Sequence, residues 1–483
     1  MTRLNFLIDT NVLIAVDPLG ESITEQLQQG AKFLRLLQEQ QHSLFLHPRV
    51  EQDLARDSNA DRRRIREALT GKYLMLPDPP PVTPEMLAHI GSTAPKPDGN
   101  SDVDNHHLAA VYGSAASWLV TEDQGIHRKA AALGIQDRVG TIEETVAYLL
   151  NLSPQAASPP LDVRSVKAHA IRLEDPIFDS LEEDYEFKAW FRAKCVPEHR
   201  DVLHITSDGG KYAGICVLKE EGSALKLCTL KVAEAHGGLR YGELLLRSAF
   251  ERGRSRGMAS CYLTVFPKRG RLMDLLNDFG FTHESTLPNG EHVMRKRLIP
   301  DLDRSALTAL EHHITYGPGA IRCEPDHIYL VPLQPKWAQL LLPDAQRYQR
   351  QLFPQASAFS LRKAYLCHAN VRTITPGATL LFYLSGGGAS IPVVGVAEDT
   401  LLHRDPVLIA SYVGKRTVYT LQQITDLCAE QPVLAIRFRQ DRVLESPLTL
   451  DELRPFGVTS PPQSITTVRG EEASTWLNRR LAA

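Results

Sequence analysis

AEAHGGLRYGELLLRSAFERGRSRG, residues 233–257, is a glycine-rich loop that runs into an amphipathic helix. Three strand-forming runs precede it, Val202–Thr206, Lys211–Lys219 and Ala224–Val232, with SDGG and EEGS as the turns between them. Connections that short join neighbours, so the three runs form an antiparallel meander. Beyond the helix, Tyr262–Phe266 is the next strand, and a second helix closes on Asp278-Phe279-Gly280-Phe281. A strand, a glycine loop and a helix N-terminus in that order make an anion site, because the first N–H groups of a helix have no partner inside it. Glycines at this spacing also serve plain tight turns. The order of the surrounding elements is what favours the anion reading.

The whole chain holds 483 residues, too many for one hydrophobic core, and about three domains are expected. Residues 151–160 (NLSPQAASPP) and the stretch from Pro300 to Pro318 read as linkers. They divide the chain into blocks 1–152, 160–298 and 318–483. With 43% apolar and 23% charged residues the composition is that of a globular protein. A formal charge of −3 leaves any nucleic-acid contact to local basic patches. The seven cysteines are scattered without a C-x-x-C pair, which argues against zinc. Their odd number and the lack of a signal peptide point to the cytoplasm, and no run reaches the ~18 apolar residues of a membrane span.

The first block alternates strands with helices, the pattern of a parallel sheet covered on both faces, whose ligands gather at the carboxyl ends of the strands. Asp9 follows the strand NFLI, and Asp123 comes just after the strand WLVT. Asp104 opens the helix DNHHLAAV, and Asp53 lies early in VEQDLARD. Taken singly, each acid is well explained as a cap or turn former. Taken together, four acids facing one edge repel one another unless a divalent cation neutralises them. Thr121 and Asn11 are placed to orient acids or waters, while His106 and His107, adjacent on a helix, point different ways. In the last block strands dominate (IYLVPL, TLLFYL, IPVVGVAE, VLAIRF), and a small β-barrel is expected. Lys415 and Arg416, close to Tyr419, are candidates for nucleic-acid contact; the alternative is a pair of charges guarding an edge strand.

Three resemblances extend this reading. The strand followed by D-T-N-V-L-I at Asp9, D-x-x-x-L-A-A at Asp104 and L-V-T-x-D ending at Asp123 resemble a PIN domain over the first block. That resemblance implies Mg²⁺ or Mn²⁺ held by Asp9, Asp53, Asp104 and Asp123, with a metal-activated water cleaving RNA. The second acid is ambiguous, since Glu51 and Asp57 stand near Asp53. In the middle block, the strand, the GGLRYGELLL helix, the YLTV strand and the closing G-F resemble the GNAT acetyltransferase family. This implies acetyl-CoA, its pyrophosphate on the loop from Gly237 to Gly242. Gly238 and Gly242 match family glycines and Arg240 replaces one, either meeting the pyrophosphate or facing solvent. The pantetheine arm is implied to run beside Thr229–Val232, along Leu230 and Val232. Many members carry a tyrosine before the closing G-F to protonate the departing thiolate; Leu275-Leu276-Asn277-Asp278 has none. In the last block, P-G-A-T-L-L-F-Y, I-P-V-V-G-V-A-E and Pro462-Gln463-Ser464-Ile465 resemble a PUA-like domain of the ASCH or EVE kind, which implies recognition of RNA.

The expected fold is multidomain, α/β and α+β: a parallel-sheet PIN-like domain, a central mixed-sheet GNAT-like domain and a small PUA-like barrel. The joint expectation is a cytoplasmic enzyme acting on RNA, with tRNA among the candidates. It would couple a metal-dependent endoribonuclease to an acetyl-CoA-dependent acyltransferase, as a toxin or defence effector, with an inhibitory protein partner left open. One alternative is an N-acetyltransferase of RNA or protein whose outer domains only position substrate. The other is a non-catalytic RNA-binding scaffold.

Overall fold

Phe6, Leu7 and Ile8 have no exposed surface, because β1 (Asn5–Ile8) is the middle strand of a parallel sheet covered on both faces. The computed structural model describes residues 2–16, 25–54, 70, 73–91, 100–153, 163–207, 210–233, 240–300, 306–342, 361–385 and 389–482. They fall into two units, residues 1–155 with 401–433, and residues 156–400 with 434–483.

In the first unit β1 is joined by β2 (Ser43–Leu46), β3 (Leu74–Met75), β4 (Trp118–Val120) and β5 (Val139–Gly140), in the order β3-β2-β1-β4-β5. Ile8 lies opposite Leu46 on one side and Val120 on the other, so the chain leaves β1 and β4 at the same edge. Asp9 and Thr121 therefore emerge side by side. The Ile142–Leu152 helix starts in a capping box between Thr141 and Glu144, which satisfies two backbone donors at once, and lays Tyr148 on Trp118 with ring centres 4.1 Å apart. Residues 401–433 complete this unit with the helices Pro406–Val413 and Leu421–Glu430. The Tyr148 hydroxyl donates to the Ala410 carbonyl at 3.3 Å. Gly414, at φ 49, lies so near the Asp137 carbonyl that a Cβ there would collide with it.

The second unit holds two sheets. The first comprises β6 (Arg164–Lys167), β7 (Asp201–Thr206), β8 (Tyr212–Glu221), β9 (Ala224–Val232), β10 (Ser260–Val265), β11 (Thr282–Thr286) and β12 (His292–Arg297). Their order is β11-β12-β10-β9-β8-β7-β6, antiparallel throughout except between β9 and β10. The other comprises β13 (Ile328–Leu333), β14 (Arg362–Cys367), β15 (Thr379–Leu384), β16 (Ser390–His403), β17 (Val433–Thr449) and β18 (Thr466–Val468), ordered β14-β17-β16-β15-β13-β18. It too is mixed, with β13 and β15 parallel.

In the stretch from Pro300 to Pro318, residues 301–305 lie outside the described residues and the remainder is packed. It carries the helix Ala309–Tyr316, whose last carbonyls are taken up by side chains of β12 and of the Tyr241–Ser255 helix. Lys296 Nζ donates to the Ile314 and Thr315 oxygens at 3.0 and 3.1 Å, and Arg254 donates to the Tyr316 oxygen. Gly280 at φ 74 lets the backbone approach the Ile314 carbonyl, where no Cβ would fit. The middle and last blocks therefore share one unit, because the TYGPGA punctuation is a helix end closed against a sheet. Residues 154–160 of the other expected linker lie outside the described residues.

Candidate active site

β9 and β10 share only three residue pairs, Ala224 with Ser260, Leu225 with Cys261 and Lys226 with Tyr262. Just beyond them β9 bulges: Val217 faces Thr229 and Leu218 faces Leu227, which leaves Cys228 as the extra residue. A bulge bends its strand and takes a residue out of the ladder. Thr229–Val232 thus part from Leu263–Val265, and the sheet opens between two strands that are otherwise neighbours.

The Tyr241–Ser255 helix begins beside this opening. A Cβ at Gly242 would lie 3.1 Å from Leu275 Cδ2 and 3.9 Å from Val232 Cγ2, so glycine keeps the helix start close to the strand. Arg240 caps the helix at φ 62 and makes no capping hydrogen bond to the first-turn backbone amides. Its guanidinium pairs instead with Glu243, whose side chain is 4% exposed. The pairing is electrostatic: a buried carboxylate needs a cation, and an unpaired one at this helix end would repel a phosphate. The described residues fit an acyl-CoA in kind, with a helix N-terminus for the anionic end and a parted strand, Leu230 and Val232 included, for the arm. Gly237 and Gly238 lie outside the described residues.

No cysteine here is a ready nucleophile. Arg200 Nη1 stands 3.5 Å from Cys195 Sγ and 3.4 Å from Cys228 Sγ. Burial outweighs that cation, pushing the Cys195 thiol up to about 12 and the Cys228 thiol above its ordinary value. At the end of the Gly270–Asp278 helix Leu276 is fully buried and Asp278 binds Arg362, so no acid replaces the missing tyrosine there.

In the first unit, Asp9 is buried and accepts from Thr121 Oγ1 at 2.8 Å and from the Thr10 amide at 2.6 Å. Thr10 Oγ1 in turn donates to Asp53 at 2.8 Å. Asp123 caps the Gln124–Ala132 helix, accepting from the amides of Gly125 and Ile126 at 2.5 and 3.1 Å. Asp104 pairs with Lys129 at 3.1 Å. Burial pushes the Asp104 carboxyl up, Lys129 pulls it back, and the charges of Asp123 and Asp9 push it up again. Asp9, Asp104 and Asp123 thus share one field. Among the described residues, however, no three His, Cys, Asp or Glu side chains are placed to hold one ion. As arranged, each acid has a donor of its own. Glu51 is exposed, and Asp57 lies outside the described residues. His106 and His107 gather round His47, with ring centres 5.9 and 5.3 Å away. Burial, then the fields of His107, His106 and Arg49, pushes His47 down to about 3.

Lys415 and Arg416 are not a nucleic-acid edge. Arg416 is buried and pairs with Asp137 at 2.6 Å; Lys415 pairs with Glu144 at 2.7 Å and donates to the Val139 carbonyl at 3.0 Å. Both cations are held by carboxylates inside the first unit, and a phosphate would have to displace those carboxylates to reach them. Arg439 is likewise held by Glu398 at 2.6 Å. The bulge at Cys228 and the Arg240–Glu243 pair escape sequence reasoning. The i, i+3 spacing of that pair was a readable signal.

Among solved structures, the chain is similar to ASCH from Zymomonas mobilis, at 18% identity over 32% of this chain and 94% of that one, TM-score 0.25. It is similar to PaiA N-acetyltransferase from Thermoplasma acidophilum in complex with coenzyme A, at 17% identity over 29% and 99%, TM-score 0.24. A GNAT-family acetyltransferase from Staphylococcus aureus is similar at 11% identity over 29% and 100%, TM-score 0.25. No curated protein matches the chain. Residues 168–281 match the model of the acetyltransferase (GNAT) family. The second unit therefore carries a GNAT acetyltransferase domain, and the opening between β9 and β10 lies within it.

Proposed function

We propose that the protein is an acyl-CoA-dependent acyltransferase that works in the opening between β9 and β10. The observation that carries this reading is the bulge at Cys228, which parts the two strands beside a helix N-terminus. Acetyl-CoA supplies an acyl carbon activated by a good thiolate leaving group. The first-turn amides of the Tyr241–Ser255 helix bind the anionic end of the cofactor. Strand donors released from the ladder by the bulge face the acyl oxygen and stabilise its developing charge. The acceptor nitrogen forms its bond to the acyl carbon as the carbon–sulfur bond breaks, and the amine proton passes to solvent. With the thiols of Cys195 and Cys228 held protonated, the acyl group passes directly to the acceptor. Titration calorimetry with acetyl-CoA, followed by thiol release with a panel of amines, tests the reading. Binding and amine-dependent release are expected; a chain that does not bind acetyl-CoA would sink it.

RNA cleavage by the first unit is the second reading, favoured by one observation: Asp9, Asp104 and Asp123 meet in one field at the carboxyl edge of a parallel sheet. It is tested by incubating total RNA with wild-type and Asp123→Asn protein, with Mn²⁺ and with chelator. Fragments that need both the metal and Asp123 are expected. Equal cutting by both proteins, or none, removes the reading.

A further inference from the structure

The Gly270–Asp278 helix touches the acyl-CoA opening at one turn and the last sheet at the next. On the opening side, Leu275 lies against the glycine that starts the cofactor-facing helix, Cδ2 being 3.1 Å from where a Gly242 Cβ would stand. Three residues on, Asp278 is gripped by two arginines. Arg362 of β14 meets its carboxylate at 2.5 Å, and Arg439 of β17 donates to its carbonyl at 2.8 Å and lies 5.7 Å over the Phe279 ring. The two arginines face each other in the β14–β17 register. Glu398 of β16 binds both, at 3.1 and 2.6 Å. Leu361, next to Arg362, packs into the core beneath the middle sheet.

The charges are where a helix favours them. Cations at a helix C-terminus meet the negative end of its dipole and its unbonded carbonyls. Both guanidiniums are nearly buried, and Glu398 neutralises them so that neither stands alone out of water. Residues three apart on a helix share a face, and at 1.5 Å per residue Leu275 and Asp278 are separated by only about 4.5 Å of rise. A movement of Asp278 is therefore a movement of Leu275.

We propose that Arg362, Glu398 and Arg439 are positioning residues for acyl-CoA binding. They fix the end of the Gly270–Asp278 helix, which holds Leu275 against Gly242, so the last sheet sets the affinity of the cofactor opening. The inference rests on the reading of that opening as an acyl-CoA site. It gives the last sheet a task inside the transferase, as part of the wall behind the cofactor.

The test uses the full chain as wild type, Arg362→Met, Arg362→Lys and Glu398→Gln. Acetyl-CoA affinity is measured by calorimetry and amide exchange over residues 275–279 by mass spectrometry. Arg362→Met is expected to weaken binding about tenfold and to speed exchange in that turn, with KM for acetyl-CoA raised and kcat little changed. Arg362→Lys, which keeps the charge, should recover most of the affinity. Glu398→Gln, nearly the same size, covers the case in which Arg362→Met does not fold, and should weaken binding in the same direction. Unchanged affinity in the folded variants overturns the proposal while leaving the acyl-CoA reading intact; so does a fall in kcat alone. A wild-type chain that binds no acetyl-CoA overturns both.

Discussion

Arg240 holds a backbone conformation that suits glycine better, and its side chain explains why it is kept. The left-handed region costs a residue with a Cβ about 1–2 kcal/mol, yet only a cation here can neutralise buried Glu243. Arg240→Ala should lose about 3 kcal/mol in a urea titration, and Arg240→Gly about 1 kcal/mol less, since glycine removes the strain. Equal midpoints for the two variants would contradict this account. Arg416 makes the same point more strongly: Arg416→Met leaves Asp137 buried without its partner and should cost about 3–5 kcal/mol in the transition of the first unit. A solvated arginine would cost under about 0.5 kcal/mol, so thermal melts separate the two cases. The sequence shows Arg416 as a charge beside an aromatic residue and nothing more. Its burial depends on Asp137, far away in the chain, and composition carries no trace of that.

At the level of the element, the helix Ala309–Tyr316 ends on a buried lysine. Burial pushes Lys296 down to about 7 from an ordinary 10.5. Between those two pH values the unfolded chain binds a proton that the folded chain does not. Stability therefore rises with pH across that window, by up to about 1.4 kcal/mol per pH unit, and the cost of the buried ammonium is present in full below it. Lys296→Met should flatten the rise; identical slopes for variant and wild type would count against it. The meander β7–β9 was legible because SDGG and EEGS are too short for anything but hairpins. The bulge inside β9 was not, since Leu227-Cys228-Thr229 alternates like any strand and an extra residue leaves no mark in composition. The helix Ala309–Tyr316 was read as helical, but its neighbours Tyr316-Gly317-Pro318 read as a hinge. Only the cations of Arg254 and Lys296 show that its end is closed. Asp9 and Asp123 were correctly placed at strand ends, whereas the hold of Lys129 on Asp104 depends on how two helices approach.

At the level of the whole molecule, the sequence suggested three successive blocks and the chain forms two interleaved units. Residues 1–155 made alone should be far less stable than within the full chain, because Asp137, Glu144 and the Val139 carbonyl lose Arg416 and Lys415. Joining 401–433 to that fragment through a short linker should restore a cooperative melt. A fragment that melts as well without the graft would contradict the interleaving. The same arrangement sets a clock on biosynthesis. A ribosome that has finished residue 155 must still read through to residue 433 before the first unit has all its parts. At ~5–20 residues per second that interval is roughly 15–55 s. During that time the sheet edge that carries Asp9 and Asp123 exists only as an unfinished fold.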